Sequence, residues 1–165
     1  MAYDYVKAFT EGHSYNNIVA KHLIENGVPC SVPELQIAKN SAERRFMTLT
    51  EKDIVLDLVP HVLEVKNVSI DFGWDPNDFP FPTTIVDTVS SYEDKQEKPI
   101  AYVLRSKKTG AMLTVGMSSK DRWKQKTLYD KKQQLTDNFY IVDKSDLRSM
   151  QELIDYLLKL QERYK

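Results

Sequence analysis

The chain has 165 residues, of which 41% are hydrophobic and 28% charged, and its formal net charge at pH 7 is −1. This length and composition exclude a wholly disordered chain, and we expect residues 1–165 to form a single domain. The sequence contains neither a membrane-spanning apolar run nor a signal-peptide pattern, so we expect a cytoplasmic protein with no membrane partner. The lone cysteine, Cys30, excludes an internal disulfide and a multi-cysteine zinc site.

Charge is unevenly distributed along the sequence. Residues 51–94 carry ten acidic and two basic side chains, whereas residues 105–132 carry nine basic and two acidic ones. A chain of this kind can bind a divalent cation with one part and a polyanion with another. Solvated loops whose charges cluster by chance would give the same counts, so the charge pattern alone does not decide.

The first half of the chain begins with a helix and continues with strands. Apolar spacing predicts a helix over residues 14–26, with Ser14 as its N-cap and Gly27 after its end. The two prolines of residues 28–33 predict an edge strand or an extended connection. Two strands separated by a turn at Val59-Pro60 are predicted, followed by an irregular but ordered loop; their ranges are 53–58, 61–66 and 71–82.

The second half alternates strands with turns and ends in a helix. A strand or short helix, a strand, its hairpin turn and the return strand are predicted in that order, at residues 84–89, 100–105, 108–110 and 111–115. The basic residues 118–134 are predicted to form a loop leading into a short helix. A last strand at 139–142 precedes a helix starting near Ser145 or Asp146, with an apolar stripe of Leu147, Met150, Ile154, Leu157 and Leu158. This order predicts an α/β fold with a mixed central sheet flanked by helices.

A pair of acidic residues and a lysine form the main candidate site. Because residues two apart on a strand share a face, Glu64 and Lys66 point the same way, and so do Asp53 and Asp57 on the preceding strand. Carboxylates brought together repel each other unless a cation lies between them, and oxygen ligands suit Mg²⁺ or Mn²⁺. A Glu-X-Lys triplet alone is common on exposed strands, so these side chains form a site only if the two strands are adjacent.

The order of these elements resembles the PD-(D/E)xK nuclease superfamily, on a helix, an acidic residue at Asp53 and Glu64-Val65-Lys66 on the next strand. The resemblance implies a restriction-endonuclease-like core, with Asp53, Glu64 and the Val65 backbone carbonyl as metal ligands and Lys66 assisting the nucleophile. It implies a Mg²⁺- or Mn²⁺-dependent deoxyribonuclease, endonuclease rather than exonuclease. The implied reaction is hydrolysis of DNA phosphodiester bonds by metal-activated water. Few residues remain to read base edges, so we expect low sequence specificity.

The sequence departs from the family pattern at the first acid and on the helix. Lys52, not proline, precedes Asp53, and Asp57 competes with Asp53 for the same role. Many members carry a glutamate on the first helix; the candidates are Glu11, just ahead of the predicted helix, and Glu25 at its end, and Glu11 is preferred. Asp57 and Glu11 therefore both stay open as a further metal ligand.

The basic stretch supplies candidate DNA contacts, namely Lys120, Arg122, Lys124, Lys126 and Lys131. Trp123, among them, can stack on bases or lie in the core, and the core is favoured for it. A stand-alone nuclease this small resembles phage-encoded enzymes, which implies the host cytoplasm. The oligomeric state stays open, although family members that cut both strands are often homodimers. The alternatives are a non-catalytic DNA-binding or protein-interaction module of the same fold, and an RNA-processing enzyme.

Overall fold

The computed structural model of the protein describes residues 5–34, 38–43, 47, 51–131 and 133–165. The helices are α1 (Tyr5–Glu25), α2 (Val89–Asp94) and α3 (Met150–Arg163). The strands are β1 (Cys30–Ser31), β2 (Ile54–Leu56), β3 (Val62–Val68), β4 (Thr83–Thr88), β5 (Ala101–Ser106), β6 (Met112–Gly116), β7 (Lys124–Asp130), β8 (Leu135–Asp143) and β9 (Leu147–Ser149). Short 3₁₀ helices lie at Pro76–Asp78, Met117–Arg122 and Lys144–Asp146.

The strands form two sheets. The first sheet has the order β1-β2-β3-β5-β6-β9, and the second has the order β4-β8-β7. Only β3 and β5 pair in parallel; the other described pairs are antiparallel. This confirms the predicted α/β class with a mixed sheet and helices. None of the helices in the described part of the chain is long and apolar enough to cross a membrane.

Each face of the first sheet has its own hydrophobic core. On one face, Leu63 and Val65 of β3 pack with Leu23 of α1 and Leu157 of α3. On the other face, Tyr102 of β5 belongs to a second core with residues of the second sheet such as Val86, Tyr140 and Val142. Because side chains alternate along a strand, Glu64 and Lys66 point away from the helices and toward the second sheet.

Most of the predicted strands are confirmed. β2 and β3 are adjacent and antiparallel, β1 is a short edge strand, and residues 83–88 form a strand, not a helix. The loop at 71–82 is ordered on the core through the buried Phe72 and Phe79, and its one regular piece is a short 3₁₀ turn.

Both long helices differ from prediction at their starts. α1 extends back to Tyr5, the first described residue, so Ser14 lies inside the helix and is not its N-cap, whereas Gly27 has the expected left-handed backbone with φ 91°. The C-terminal helix begins at Met150, where the Ser149 side chain accepts a hydrogen bond from the Glu152 N–H. Ser145 and Asp146 instead form a 3₁₀ turn, and Leu147 belongs to β9, so the predicted start was wrong.

The prediction of a loop and short helix for residues 118–134 was also wrong. Met117–Arg122 is a 3₁₀ helix, and Lys124–Asp130 is a strand that pairs with β8 along its whole length. β7 is an edge strand that is mostly exposed, so its sequence lacks the alternation of apolar and polar residues that identifies a half-buried strand. Pairing with β8 stabilises it despite that composition.

Candidate active site

Asp53 immediately precedes β2, at the point where that strand begins to pair with β3. The register pairs Ile54 with Leu63 and, continued by one residue, sets Asp53 opposite Glu64. The Val65 N–H donates to Asp53 Oδ2 at 2.8 Å, and Asn16 of α1 donates to Oδ1 at 3.2 Å. The Asp53 carboxylate thus accepts the β3 hydrogen bond that a backbone carbonyl would accept if β2 were longer. The contact with α1 fixes the orientation of this carboxylate.

Lys66 of β3 reaches across to the second sheet. Its Nζ lies 3.2 Å from Oδ1 of Asp87, a β4 residue that is only 4% exposed. The pairing of β4 with β8 is irregular between Ile85 and Asp87, and the consecutive residues Val86 and Asp87 are both buried. A β-bulge of this kind re-aims a side chain, and here an acidic side chain points into the space between the sheets.

Two further polar side chains contact Asp87. The Tyr102 hydroxyl donates to Asp87 Oδ2 at 2.7 Å, and Lys95 Nζ lies 3.5 Å from the same oxygen. Lys95 Nζ also lies 3.8 Å from Glu64 Oε1 and donates to Ser91 Oγ at 2.9 Å. The acidic residues of the two sheets therefore share one pair of lysines. We call Asp53, Glu64, Lys66, Asp87 and Lys95 together the acidic centre.

For Asp87 and Lys66, the charges of the acidic centre shift the pKa more than burial does, and in the opposite direction. Burial alone would raise the pKa of Asp87, but Lys66 and Lys95 lower that pKa below its usual value. Burial alone would lower the pKa of Lys66, but Asp87, Glu64 and Asp53 raise that pKa above its usual value. Asp87 and Lys66 are therefore an ionised pair at neutral pH.

Glu64 behaves in the opposite way. Burial and the neighbouring Asp53 charge raise the pKa of Glu64 well above its usual range, against the opposing effect of Lys66 and Lys95. Desolvation and Asp53 likewise raise the pKa of Glu51, just ahead of β2. Carboxylates crowded in this way favour the arrival of a cation, which would relieve their repulsion.

The donors at Asp53 and Glu64 are oxygen atoms, which suits a hard divalent cation. In the described ranges no group of three or more His, Cys, Asp or Glu side chains is spaced to hold a metal ion. Mg²⁺ is commonly bound through one or two carboxylates with water and substrate oxygens completing its shell. Because the N–H and C=O of a strand residue point to the same neighbour, the Val65 carbonyl faces the edge that Asp53 occupies. These residues fit such an ion.

The other predicted acidic ligands lie elsewhere. Asp57 is exposed beyond the end of β2, where its backbone N–H bonds to Pro29. Glu11 lies within α1, not ahead of it, and is exposed, while Glu25 is exposed at the end of α1. Among the described side chains of α1, Asn16 is the one that contacts Asp53.

The predicted DNA-contact residues do not form one patch. Lys120 Nζ lies 4.5 Å from the centre of the Tyr140 ring and also faces the rings of Tyr92 and Trp123. Arg122 donates two hydrogen bonds to Asp146 Oδ1, at 3.0 and 2.8 Å. Exposed lysines remain on β7 and at its end, namely Lys124, Lys126 and Lys131.

Trp123 is confirmed as a core residue. It is 8% exposed, and its indole N–H donates to Ser119 Oγ at 2.8 Å. The rings of Tyr92, Tyr102 and Tyr140 surround it, each with its centroid about 6 Å from that of Trp123. The Trp123 ring is therefore unavailable for stacking on a base.

Sequence reasoning missed Asn16, Asp87, Lys95 and Tyr102. The available signal was Asp87 in Thr-Ile-Val-Asp-Thr-Val, where an acidic residue interrupts a run of β-branched residues. No protein-family model, curated protein or solved structure matches the chain. The geometry of the site therefore carries the functional argument.

Proposed function

We propose that the protein is a Mg²⁺- or Mn²⁺-dependent deoxyribonuclease with a restriction-endonuclease-like core, which hydrolyses DNA phosphodiester bonds. One observation carries the proposal: Asp53 is fixed opposite Glu64 at the edge of β3 where β2 begins, and Lys66 follows on β3. Two carboxylates and an ammonium at one site match the needs of phosphodiester hydrolysis.

Asp53, Glu64 and the Val65 carbonyl would hold the ion, and Asn16 would keep Asp53 oriented. When bound, a divalent ion at this site would polarise a phosphoryl oxygen and lower the pKa of a water molecule. Burial shields the Glu64 carboxylate from water, and the lower local dielectric strengthens its interaction with any cation that binds there.

Lys66 would contribute a fixed positive charge. The nearby carboxylates keep it protonated, and a third of its side chain is exposed to an incoming substrate. An ammonium has three donor protons, so Lys66 can keep its contact with Asp87 and still donate to a phosphate oxygen. Its charge would then stabilise the negative charge that develops on that phosphate.

The test is cleavage of supercoiled plasmid, linear duplex and RNA by the purified protein with Mg²⁺ or Mn²⁺. We expect Asp53→Asn and Glu64→Gln to lower the rate of DNA cleavage by about 100-fold or more and to lose Mn²⁺ binding measured by electron paramagnetic resonance. Glu162→Gln, at an exposed site on α3, is the matched control and should match the parent. No cleavage with either metal, or unchanged rates in both variants, would refute the proposal.

One observation favours a second candidate, a non-catalytic DNA-binding or protein-interaction module. Lys66 and Lys95 already neutralise much of the acidic centre, so it needs no metal for stability. Salt-dependent DNA binding without a divalent cation and without cleavage would support this candidate. Faster cleavage of RNA than of DNA would instead reassign the substrate.

A further inference from the structure

Asp87 is a buried acidic residue that comes from the second sheet. It is separated in sequence from Asp53, Glu64 and Lys66, yet its carboxylate lies between Lys66 and Lys95. A carboxylate at 4% exposure is costly unless it is paired and hydrogen-bonded. The groups that contact the Asp87 carboxylate therefore indicate its role.

The Asp87 carboxylate is itself rigidly held. Oδ1 accepts a hydrogen bond from the Thr88 N–H at 2.9 Å, and Oδ2 accepts one from the Tyr102 hydroxyl at 2.7 Å. Tyr102 is fully buried on β5, the strand next to β3. Backbone and tyrosine fix the carboxylate before any lysine contributes.

Each carboxylate oxygen of Asp87 lies near a different lysine. Oδ2 faces Lys95, which is itself anchored by Ser91, whereas Oδ1 faces Lys66. Lys95 is buried, but the Lys66 side chain remains one-third exposed. Lys66 is thus the lysine that can keep its ion pair and still meet a ligand.

We infer that Asp87 is a positioning residue that holds the Lys66 ammonium in place for the reacting phosphate. The inference rests on the proposed nuclease function and extends it to the second sheet, which supplies none of the motif residues. A lysine side chain has four flexible carbons and rotatable donors, so an unpartnered Lys66 would sample many orientations. A fixed carboxylate selects one of them, and misplacement by about 1 Å can cost about 100-fold in rate.

A purely structural ion pair predicts something different. Removing such a pair would destabilise the protein, and activity would fall only as far as folding or DNA binding fell with it. Val142→Ala supplies the matched control, because Val142 is 1% exposed in the same core and lies on β8, outside the acidic centre. It loses stability without touching Lys66.

The experiment compares Asp87→Asn with Val142→Ala at a temperature where both are folded. We expect Asp87→Asn to lower kcat by about 100-fold, while the Kd for duplex DNA in Ca²⁺ changes less than about threefold. Val142→Ala should keep kcat within about threefold of the parent. An unchanged kcat in Asp87→Asn, or a loss equalled by Val142→Ala, overturns the inference, as does a Kd that rises in step with the fall in kcat.

A second measurement does not depend on activity. The ¹⁵Nζ resonance of Lys66, identified by its absence from Lys66→Met, should be protected from exchange in the parent and lose that protection in Asp87→Asn. Unchanged protection overturns the inference.

If Asp87→Asn does not fold, Tyr102→Phe replaces it in both measurements. This variant removes one fixed donor to Asp87, and an unchanged kcat would then count against the inference. A parent protein that cuts no DNA refutes the nuclease proposal, whereas a cleaving parent with an indifferent Asp87 refutes only this inference.

Discussion

The acidic centre draws mainly on the acid-rich residues 51–94, and β7 belongs to the base-rich residues 105–132, but the fold treats the charged side chains of these two regions differently. Members of the acidic centre come from before β2, from β3, from β4 and from the residue after α2. The β3 side chains meet Asp87 and Lys95 between the two sheets, and Asp53 lies at the neighbouring edge of β3. The basic residues are close in sequence, yet they separate onto an aromatic cluster, an ion pair and an exposed edge.

The difference shows which kind of pattern predicts a site. Groups that are far apart in sequence and still converge must be brought together by the sheets, and their burial makes the convergence costly unless it is compensated. Charges spaced along one strand need no such compensation, because water solvates each of them. Convergence, rather than local charge density, is therefore what marks the acidic centre as a functional candidate.

The largest expected effect is that of Lys66→Met, which removes the ammonium and keeps most of the side-chain volume. We expect DNA cleavage to fall by about 1,000-fold, because the charge that stabilises the reacting phosphate is lost. Mn²⁺ affinity should stay within about threefold of the parent, in contrast to Asp53→Asn, because lysine is not a ligand. Cleavage rates and Mn²⁺ titration measure the two effects. Loss of Mn²⁺ binding in Lys66→Met would show that the lysine and the carboxylates act as one unit.

A large effect on stability is expected from Trp123→Ala on the basic side of the comparison. Removing a buried indole among three tyrosine rings should cost about 3 kcal/mol or more of unfolding free energy. Urea denaturation measures this cost, and the affinity for duplex DNA, measured where the variant is folded, should not change. A small loss of stability with a large loss of DNA affinity would mean that Trp123 leaves the core to stack on bases.

Local patterns predicted most of the fold. The adjacency of β2 and β3 and the facing of Glu64 and Lys66 follow from strand periodicity, which is a local property. The first turns of α1 and the start of α3 were missed because Ser14 and Ser145 are acceptable caps in sequence, although the chain is helical ahead of Ser14 and α3 begins after Ser149. β7 was missed because an exposed edge strand lacks the alternation of apolar and polar residues that predicts a strand.

The sequence marks Asp87 as an unusual acidic residue within a strand, but it does not place Asp87 or Lys95 at the candidate site. Asp53, Glu64 and Lys66 lie on neighbouring strands, so spacing predicts their encounter. Asp87 and Lys95 reach them only because the second sheet packs on the first, and the bulge at β4 has no distinct sequence signal. Tertiary contacts of this kind require the strand order, which a single sequence does not supply.

Cys30, on the edge strand β1, shows how burial shifts a pKa when it is not opposed by the lysines that act on Asp87. Burial, and to a lesser extent the Asp57 charge, raise the pKa of the Cys30 thiol to about 11, whereas lysines lower the pKa of Asp87, which is also buried. The unfolded thiol ionises near pH 8.5, so the unfolded state loses its proton first and stability should fall between about pH 8.5 and pH 11, by up to about 3 kcal/mol. Urea unfolding of the parent and of Cys30→Ala at pH 8 and pH 10.5 measures this difference. Equal losses in both proteins would assign the decline to other groups.

The smallest effect is expected from Lys124→Ala combined with Lys126→Ala on β7. Each lysine that contacts a phosphate should contribute about 0.9 to the slope of log affinity against log salt, so the double variant should bind duplex DNA several-fold more weakly with a shallower slope. Fluorescence anisotropy in Ca²⁺ measures both, with Lys159→Ala on α3, across the first sheet, as the control. Edge strands also use lysines to block pairing with other chains. If that is their role here, the double variant will self-associate in sedimentation experiments while its DNA affinity and salt slope stay those of the parent.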